Sequence, residues 1–245
     1  MIRTEGLTKR FGDKVAVQDL NLDIQEGEFF CYLGPNGAGK TTTIKMLTGL
    51  MLPTSGTAYI GGIDIQKNPI ATKRLLGYIP DHPFLYEKLT GREFMRFVAG
   101  LYQMKENHVA ERSEELMHLF EVDMVADQLI ENYSHGMRQK LSFASCFLHE
   151  PRIVIVDEPW VGLDPKNIRF VKDYLKQKTR EGLTVLMSTH TLSIAEEVAD
   201  RIGIIHRGRL RHVGSVSEIM QLAIKSTTLE EVFLALTETD EEVEV

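Results

Sequence analysis

Two stretches of this chain are apolar at every position, Phe29-Phe30-Cys31-Tyr32-Leu33 and Ile153-Val154-Ile155-Val156. Short unbroken runs of this kind, bounded by turn residues, predict buried strands. Further β segments are expected around residues 2–7, 17–24, 57–60 and 76–79, separated by turns such as Glu26-Gly27 and Gly61-Gly62. The pattern changes near Pro83. Thr90-Gly91-Arg92-Glu93 has the form of a capping box. Phe94, Phe97, Val98 and Leu101 follow at i, i+3, i+4 and i+7, which predicts a helix. Two more helices are expected over about 106–120 and 134–148.

After residues 153–156 the pattern alternates: a helix over about 167–180, a strand over 184–188 and a helix over about 192–199. That alternation marks a parallel sheet with crossover helices. Residues 202–206 and 209–213 flank Arg207-Gly208 as a hairpin. A second capping box, Thr228-Leu229-Glu230-Glu231, opens a stripe of Leu229, Val232, Phe233 and Leu236. The fold class is therefore α/β, with a single domain expected over 1–245. A core of mixed sheet and flanking helices spans about 1–83 and 149–214. A helical subdomain is inserted over about 84–148, and a helical tail closes the chain over about 215–245.

Composition narrows the function classes. The 245 residues are 43 % hydrophobic and 26 % charged, which argues against a disordered chain. A formal net charge of −7 argues against a nucleic-acid partner. Cys31 and Cys146 form no motif and read as small core residues of a reducing compartment. No segment has the basic-then-apolar form of a signal peptide or approaches the roughly 20 apolar residues of a membrane span.

The first chemistry lies just past the first apolar run. Residues 34–42 read Gly-Pro-Asn-Gly-Ala-Gly-Lys-Thr-Thr, a G-x-x-x-x-G-K-T loop between a strand and a helix expected over about 39–50. Gly34, Gly37 and Gly39 let the chain curl and aim backbone N–H groups at one anion. Lys40 can reach β- and γ-phosphates, and the Thr41 hydroxyl can ligate Mg²⁺. The helix points its positive end at the phosphates, with Ile44, Leu47 and Leu50 as its inner face. The second apolar run ends in Asp157-Glu158. Beside a phosphate loop, the first carboxylate can hold Mg²⁺ and the second can polarise an attacking water.

With these residues in place, the chain closely resembles the ATP-binding cassette (ABC) family over at least residues 1–220. Phe11 matches the aromatic that stacks on adenine. Gly34, Pro35, Asn36, Gly37, Ala38, Gly39, Lys40, Thr41 and Thr42 match the phosphate loop. Tyr133-Ser134-His135-Gly136-Met137 matches the signature motif, commonly LSGGQ. Asp157 and Glu158 match the Mg²⁺ carboxylate and catalytic glutamate. Gly162-Leu163-Asp164-Pro165 resembles the loop that crosses the dimer interface, and His190 matches the switch histidine.

The resemblance implies ATP and Mg²⁺ as cofactors and a dimer that clamps two ATP molecules. Ser134 and Gly136, at a helix start suited to anions, would contact the γ-phosphate held by a facing subunit. It also implies a second cassette, identical or different, and a separate transmembrane permease that holds the protein at the cytoplasmic face of the membrane.

Three positions depart from the family pattern. Asp81 stands where the family usually has a glutamine that ligates Mg²⁺ and water; a carboxylate can still coordinate the ion, with shorter reach and a new charge. His135 and Met137 replace the usual Gly and Gln. Trp160 reads as packing. The signature variant and the stripe over 228–237 resemble the drug- and polymer-exporter branch. Against a translation or repair ATPase stand the absence of a second cassette and of a coiled-coil insertion. Against a regulatory module without turnover stand Glu158 and His190. No N-K-x-D motif supports a GTPase.

Overall fold

The computed structural model describes residues 1–160, 162–221 and Phe233. Strands β1 (Ile2–Phe11) and β2 (Lys14–Ile24) form a hairpin. Strand β3 (Phe29–Leu33) leads through the glycine loop into helix α1 (Lys40–Leu47). Next come β4 (Ser55–Ile60), β5 (Ile63–Asp64), α2 (Pro69–Leu75) and β6 (Leu76–Ile79). Helices α3 (Gly91–Leu101), α4 (Glu106–Leu119) and α5 (His135–Cys146) follow, then β7 (Ile153–Asp157). The remaining elements are α6 (Pro165–Arg180), β8 (Thr184–Thr189), α7 (Leu192–Val198), β9 (Arg201–His206), β10 (Arg209–Gly214) and α8 (Val216–Gln221).

The strands form two sheets. One is antiparallel, in the order β2-β1-β4-β5. The other runs β10-β9-β3-β8-β7-β6, parallel from β9 to β6 with β10 antiparallel at its edge. The continuous apolar runs have their explanation here, because this larger sheet is covered on both faces. Side chains alternate along a strand, so Ile153 and Ile155 of β7 join Phe30 and Tyr32 in a core shared with α1 and the antiparallel sheet. Val154 and Val156 join Cys31 and Leu33 in the core beneath the helices, with Phe120, Leu141 and Phe143. Cys31 and Cys146 are both free and buried, and burial pushes both thiols far up. Trp160 packs half-buried against the helical core.

The Thr90 capping box forms as expected. Thr90 Oγ1 accepts from the Glu93 N–H at 3.2 Å, and Glu93 Oε2 accepts from the Thr90 N–H at 2.8 Å. The inward stripe of α3 differs from the one expected: Phe94, Met95 and Ala99 are buried, whereas Phe97 and Leu101 are exposed. Both sets have helical spacing, so local periodicity does not choose between them; what α4 and α5 cover does. Likewise α1 ends at Leu47, Gly49 turns the chain at φ +67, and Leu50 points outward. The short elements α2 and β5 were not foreseen. The closing helix expected over 228–237 lies outside the described residues except for Phe233, which is helical and half-buried against the helical core.

Candidate nucleotide site

Parallel pairing assembles the site. Leu33, the last residue of β3, pairs with Thr189 of β8; Ser188 pairs with Asp157 of β7; and Val156 pairs with Ile79 of β6. The exits of four strands therefore share one edge, the carboxyl edge where open α/β sheets bind ligands. Those exits deliver the loop after Leu33, the pair Asp157-Glu158, His190 and Asp81 to one cleft. Its volume is about 850 Å³.

The glycine loop is packed too tightly for side chains at two points. A Cβ on Gly39 would lie 2.6 Å from the Ala16 carbonyl oxygen, at φ +111, and one on Gly34 would lie 2.5 Å from that of Ile205. Gly39 precedes α1 without any side-chain cap, so the first N–H groups of the helix are left for a ligand. Lys40 is 6 % exposed. Its ammonium donates to the carbonyls of Gly34 (2.7 Å) and Pro35 (3.3 Å) and stands 3.4 Å from Glu158 Oε1. Glu158 Oε2 lies 2.9 Å from His190 Nδ1. The Glu158 carboxylate is thus held between a lysine inside the cleft and a histidine at its mouth.

Asp157 is fully buried beneath them. Ser188 donates to its Oδ1 at 2.5 Å, and the nearby Thr41 hydroxyl favours the charged carboxylate. Its Oδ2 is buried without a partner among the described residues. Burial pushes this carboxyl above its ordinary range, as do the nearby Asp81 and Glu158 charges, while Ser188 and Thr41 pull it down. A buried, unpartnered carboxylate oxygen beside a threonine hydroxyl fits a Mg²⁺ site completed by phosphate oxygens and water. Among the described residues no three His, Cys, Asp or Glu side chains form a metal cage on their own.

Of the residues expected at the site, Phe11, Pro35, Asn36, Gly37, Gly39, Lys40, Thr41, Thr42, Asp81, Glu158 and His190 line the cleft. Gly34 and Ala38 lie under its floor, where the Ala38 carbonyl accepts from the Gly208 N–H at 2.8 Å. Phe11 is 48 % exposed at the rim, with the Lys9 ammonium 5.2 Å from its ring centre. Lys14, Val15, Ala16, His82, Arg207 and Gly208 also line the cleft and were missed. Arg207-Gly208 was legible as a hairpin turn, but nothing local showed that the turn packs on the loop.

Ser134, Gly136 and Asp164 are not among the cleft's lining residues. Ser134 caps α5, accepting from the Met137 N–H at 3.2 Å, and is exposed. Asp164 caps α6: one oxygen accepts from the Asn167 N–H and the other from its side-chain amide. These bonds hold its carboxyl below the ordinary range. The described residues contain no helix long and apolar enough to cross a membrane.

A phosphate loop, a carboxylate pair and a histidine on one edge of a parallel sheet define an ATPase cassette. The profile of the ABC transporter family matches residues 17–161. The uncharacterized ABC transporter ATP-binding protein YhcH of Bacillus subtilis is 40 % identical over 223 residues, 89 % of this chain and 71 % of its own. The linearmycin resistance ATP-binding protein LnrL of the same organism is 33 % identical, over 89 % of this chain and 70 % of its own. A solved ATP-binding subunit of an ABC transporter superposes with a TM-score of 0.90 at 32 % identity, covering 96 % of this chain and 99 % of that one. The dimeric cassette MJ0796, in a post-hydrolysis state bound to ADP and Pi, superposes at 0.81 with 26 % identity, covering 88 % and 99 %. The chain belongs to the ABC transporter family, as an ATP-binding subunit.

Proposed function

We propose that this chain hydrolyses ATP as one half of a cassette dimer and powers export through a separate transmembrane permease. The observation that carries the reading is how the site is divided. The loop, Lys40, Glu158 and His190 converge on one cleft, whereas Ser134, Gly136 and Asp164 lie outside it. A second copy, or a second cassette, would bring those three to the open side of the cleft. The dimeric state of MJ0796 supports this arrangement.

In this reading Phe11 stacks on the base and the 34–42 loop N–H groups with Lys40 hold the β- and γ-phosphates. Thr41 and Asp157 hold Mg²⁺, with Asp81 at the cleft wall as a further oxygen donor. The ion would neutralise phosphate charge during transfer. Glu158 accepts the proton of the attacking water, and His190, already bonded to Glu158, orients it toward the γ-phosphate. Ser134 and Gly136 meet that phosphate from the partner, with Asp164 crossing the interface.

Export is supported by the resistance role in the name of LnrL. A permease is supported by the apolar surface left outside the core. Phe84 is 85 % exposed, and the exposed rings of Tyr86 and Phe97 meet edge to face at 4.9 Å, with Leu101 one turn further along α3. Apolar surface of that kind marks an interaction site, and through it the protein would be held at the cytoplasmic face of the membrane.

The test is Glu158→Gln. The neutral amide cannot take a proton, so turnover should fall about 10²- to 10⁴-fold while ATP still binds. Size-exclusion chromatography with ATP and Mg²⁺ should then show an accumulated dimer. A monomer with wild-type turnover would overturn both the base role and the shared site.

A further inference from the structure

One polar side chain beside the site has no role in that scheme. Gln139 lies a turn into α5 and is fully buried. A buried amide is costly unless it is hydrogen-bonded. Gln139 Nε2 donates to the Pro159 carbonyl at 3.3 Å, and its Oε1 has no hydrogen-bond partner among the described residues. Volume alone does not call for an amide at this position, because methionine fills nearly the same space with no polar group to satisfy.

What Gln139 holds is the residue after Glu158. Glu158 has φ +46. Side chains with a Cβ rarely adopt that conformation, and a following proline biases the residue before it toward extended backbone. Such a conformation persists only where the surroundings fix it. From the sheet side, the Glu158 N–H is held by the carbonyl and hydroxyl of Ser188, both at the long distance of 3.3 Å. On the other side Pro159 offers no N–H, so its carbonyl is its one polar handle. Gln139 takes that handle. Gly162 also lies against the start of α5: a Cβ on Gly136 would lie 3.0 Å from the Gly162 carbonyl oxygen, and one on Gly162 would meet the His135 ring.

We propose that Gln139 is a positioning residue for Glu158, anchoring the Pro159 carbonyl so that the strained Glu158 backbone presents its carboxylate beside His190. The inference rests on the reading of Glu158 as the group that activates water. The anchor belongs to α5, so a shift of that helix would act on the Pro159 carbonyl and, through it, on the carboxylate.

Gln139→Met keeps the volume and removes the donor. Its kcat should fall about ten- to a hundredfold, the usual cost of misplacing a reacting group, while its ATP affinity stays within about twofold of wild type. Combined with Glu158→Gln, it should slow single-turnover hydrolysis no further, because a residue that acts only through the carboxylate has nothing left to position. Gln139→Asn, whose amide is one methylene too short to reach, should behave as the Met variant does and serves in its place if the Met variant does not fold. An unchanged kcat, a parallel loss of ATP affinity, or additive losses in the double variant would each overturn the inference. If Glu158→Gln alone leaves turnover intact, the reading of Glu158 falls and this inference with it. If Glu158→Gln is inactive and both Gln139 variants are silent, only the present inference falls.

Discussion

Helices α1 and α5 both begin with N–H groups and no acidic residue in their first turn, yet they are built differently. The start of α1 has no cap, lies inside a cleft and has a buried lysine facing it. The start of α5 is capped by Ser134 and exposed. Its nearby cations are already engaged. Arg138 binds the Tyr133 and Glu131 carbonyls and the Glu87 carboxylate, and Lys140 pairs with Glu121. A phosphate is held best where donors and a cation converge in one cleft. The start of α1 supplies both, because Lys40, though bonded to the Gly34 and Pro35 carbonyls and close to Glu158, stands in the cleft with the helix N–H groups. The start of α5 supplies donors and a hydroxyl alone, so it suits a phosphate whose charge is met elsewhere. The difference separates a site that can bind by itself from one that can only complete another.

The largest effect should come from removing the cation of the self-sufficient site. Lys40→Ala should weaken ATP binding by at least about a hundredfold, the scale of losing a charge-assisted contact in a buried setting. Titration calorimetry reads this directly, and near-normal affinity would show that the loop does not hold the phosphates. The completing site should respond differently. Ser134→Arg should fold and bind ATP, because α1 is untouched, but should fail to turn over because the added side chain blocks the partner's γ-phosphate. Mixed with the Lys40→Ala chain it should recover activity above either parent. Each mixed dimer has one doubly damaged site and one intact site, made from Lys40 of one chain and Ser134 of the other. Mixtures that dimerise with ATP yet stay inactive at every ratio would break the comparison.

What was legible in the sequence divides along a similar line. The phosphate loop could be read because its whole mechanism lies within nine residues between a strand and a helix. Asp157 and Glu158 could be read because the end of a buried apolar strand is a local signal. Lys14 and Arg207 could not, since Lys14 reaches the cleft on β2, whose Ala16 carbonyl abuts Gly39, and Arg207 through a turn that packs on the loop, and no spacing encodes either contact. Leu50, Phe97 and Leu101 failed for the opposite reason. They carry the right period, but which stripe is buried depends on what lies above it. The φ of Glu158 and the grip of Gln139 on Pro159 were equally hidden, because they concern residues 20 positions apart.

The smallest effect sharpens the contrast with a helix start made only for stability. The first turn of α3 carries its own acid: Thr90 and Glu93 satisfy each other's N–H groups. That start is closed to anions by its own carboxylate, so it should matter to folding and not to nucleotide. Thr90→Ala removes the acceptor for the Glu93 N–H and should cost about 1 kcal/mol. This should appear as a lower urea midpoint at unchanged slope. ATP affinity should remain at the wild-type value, because α3 contributes nothing to the cleft. A loss of affinity in this variant would mean that the helical insert shapes the nucleotide site of its own chain. The self-sufficiency argued for α1 would then have to be given up.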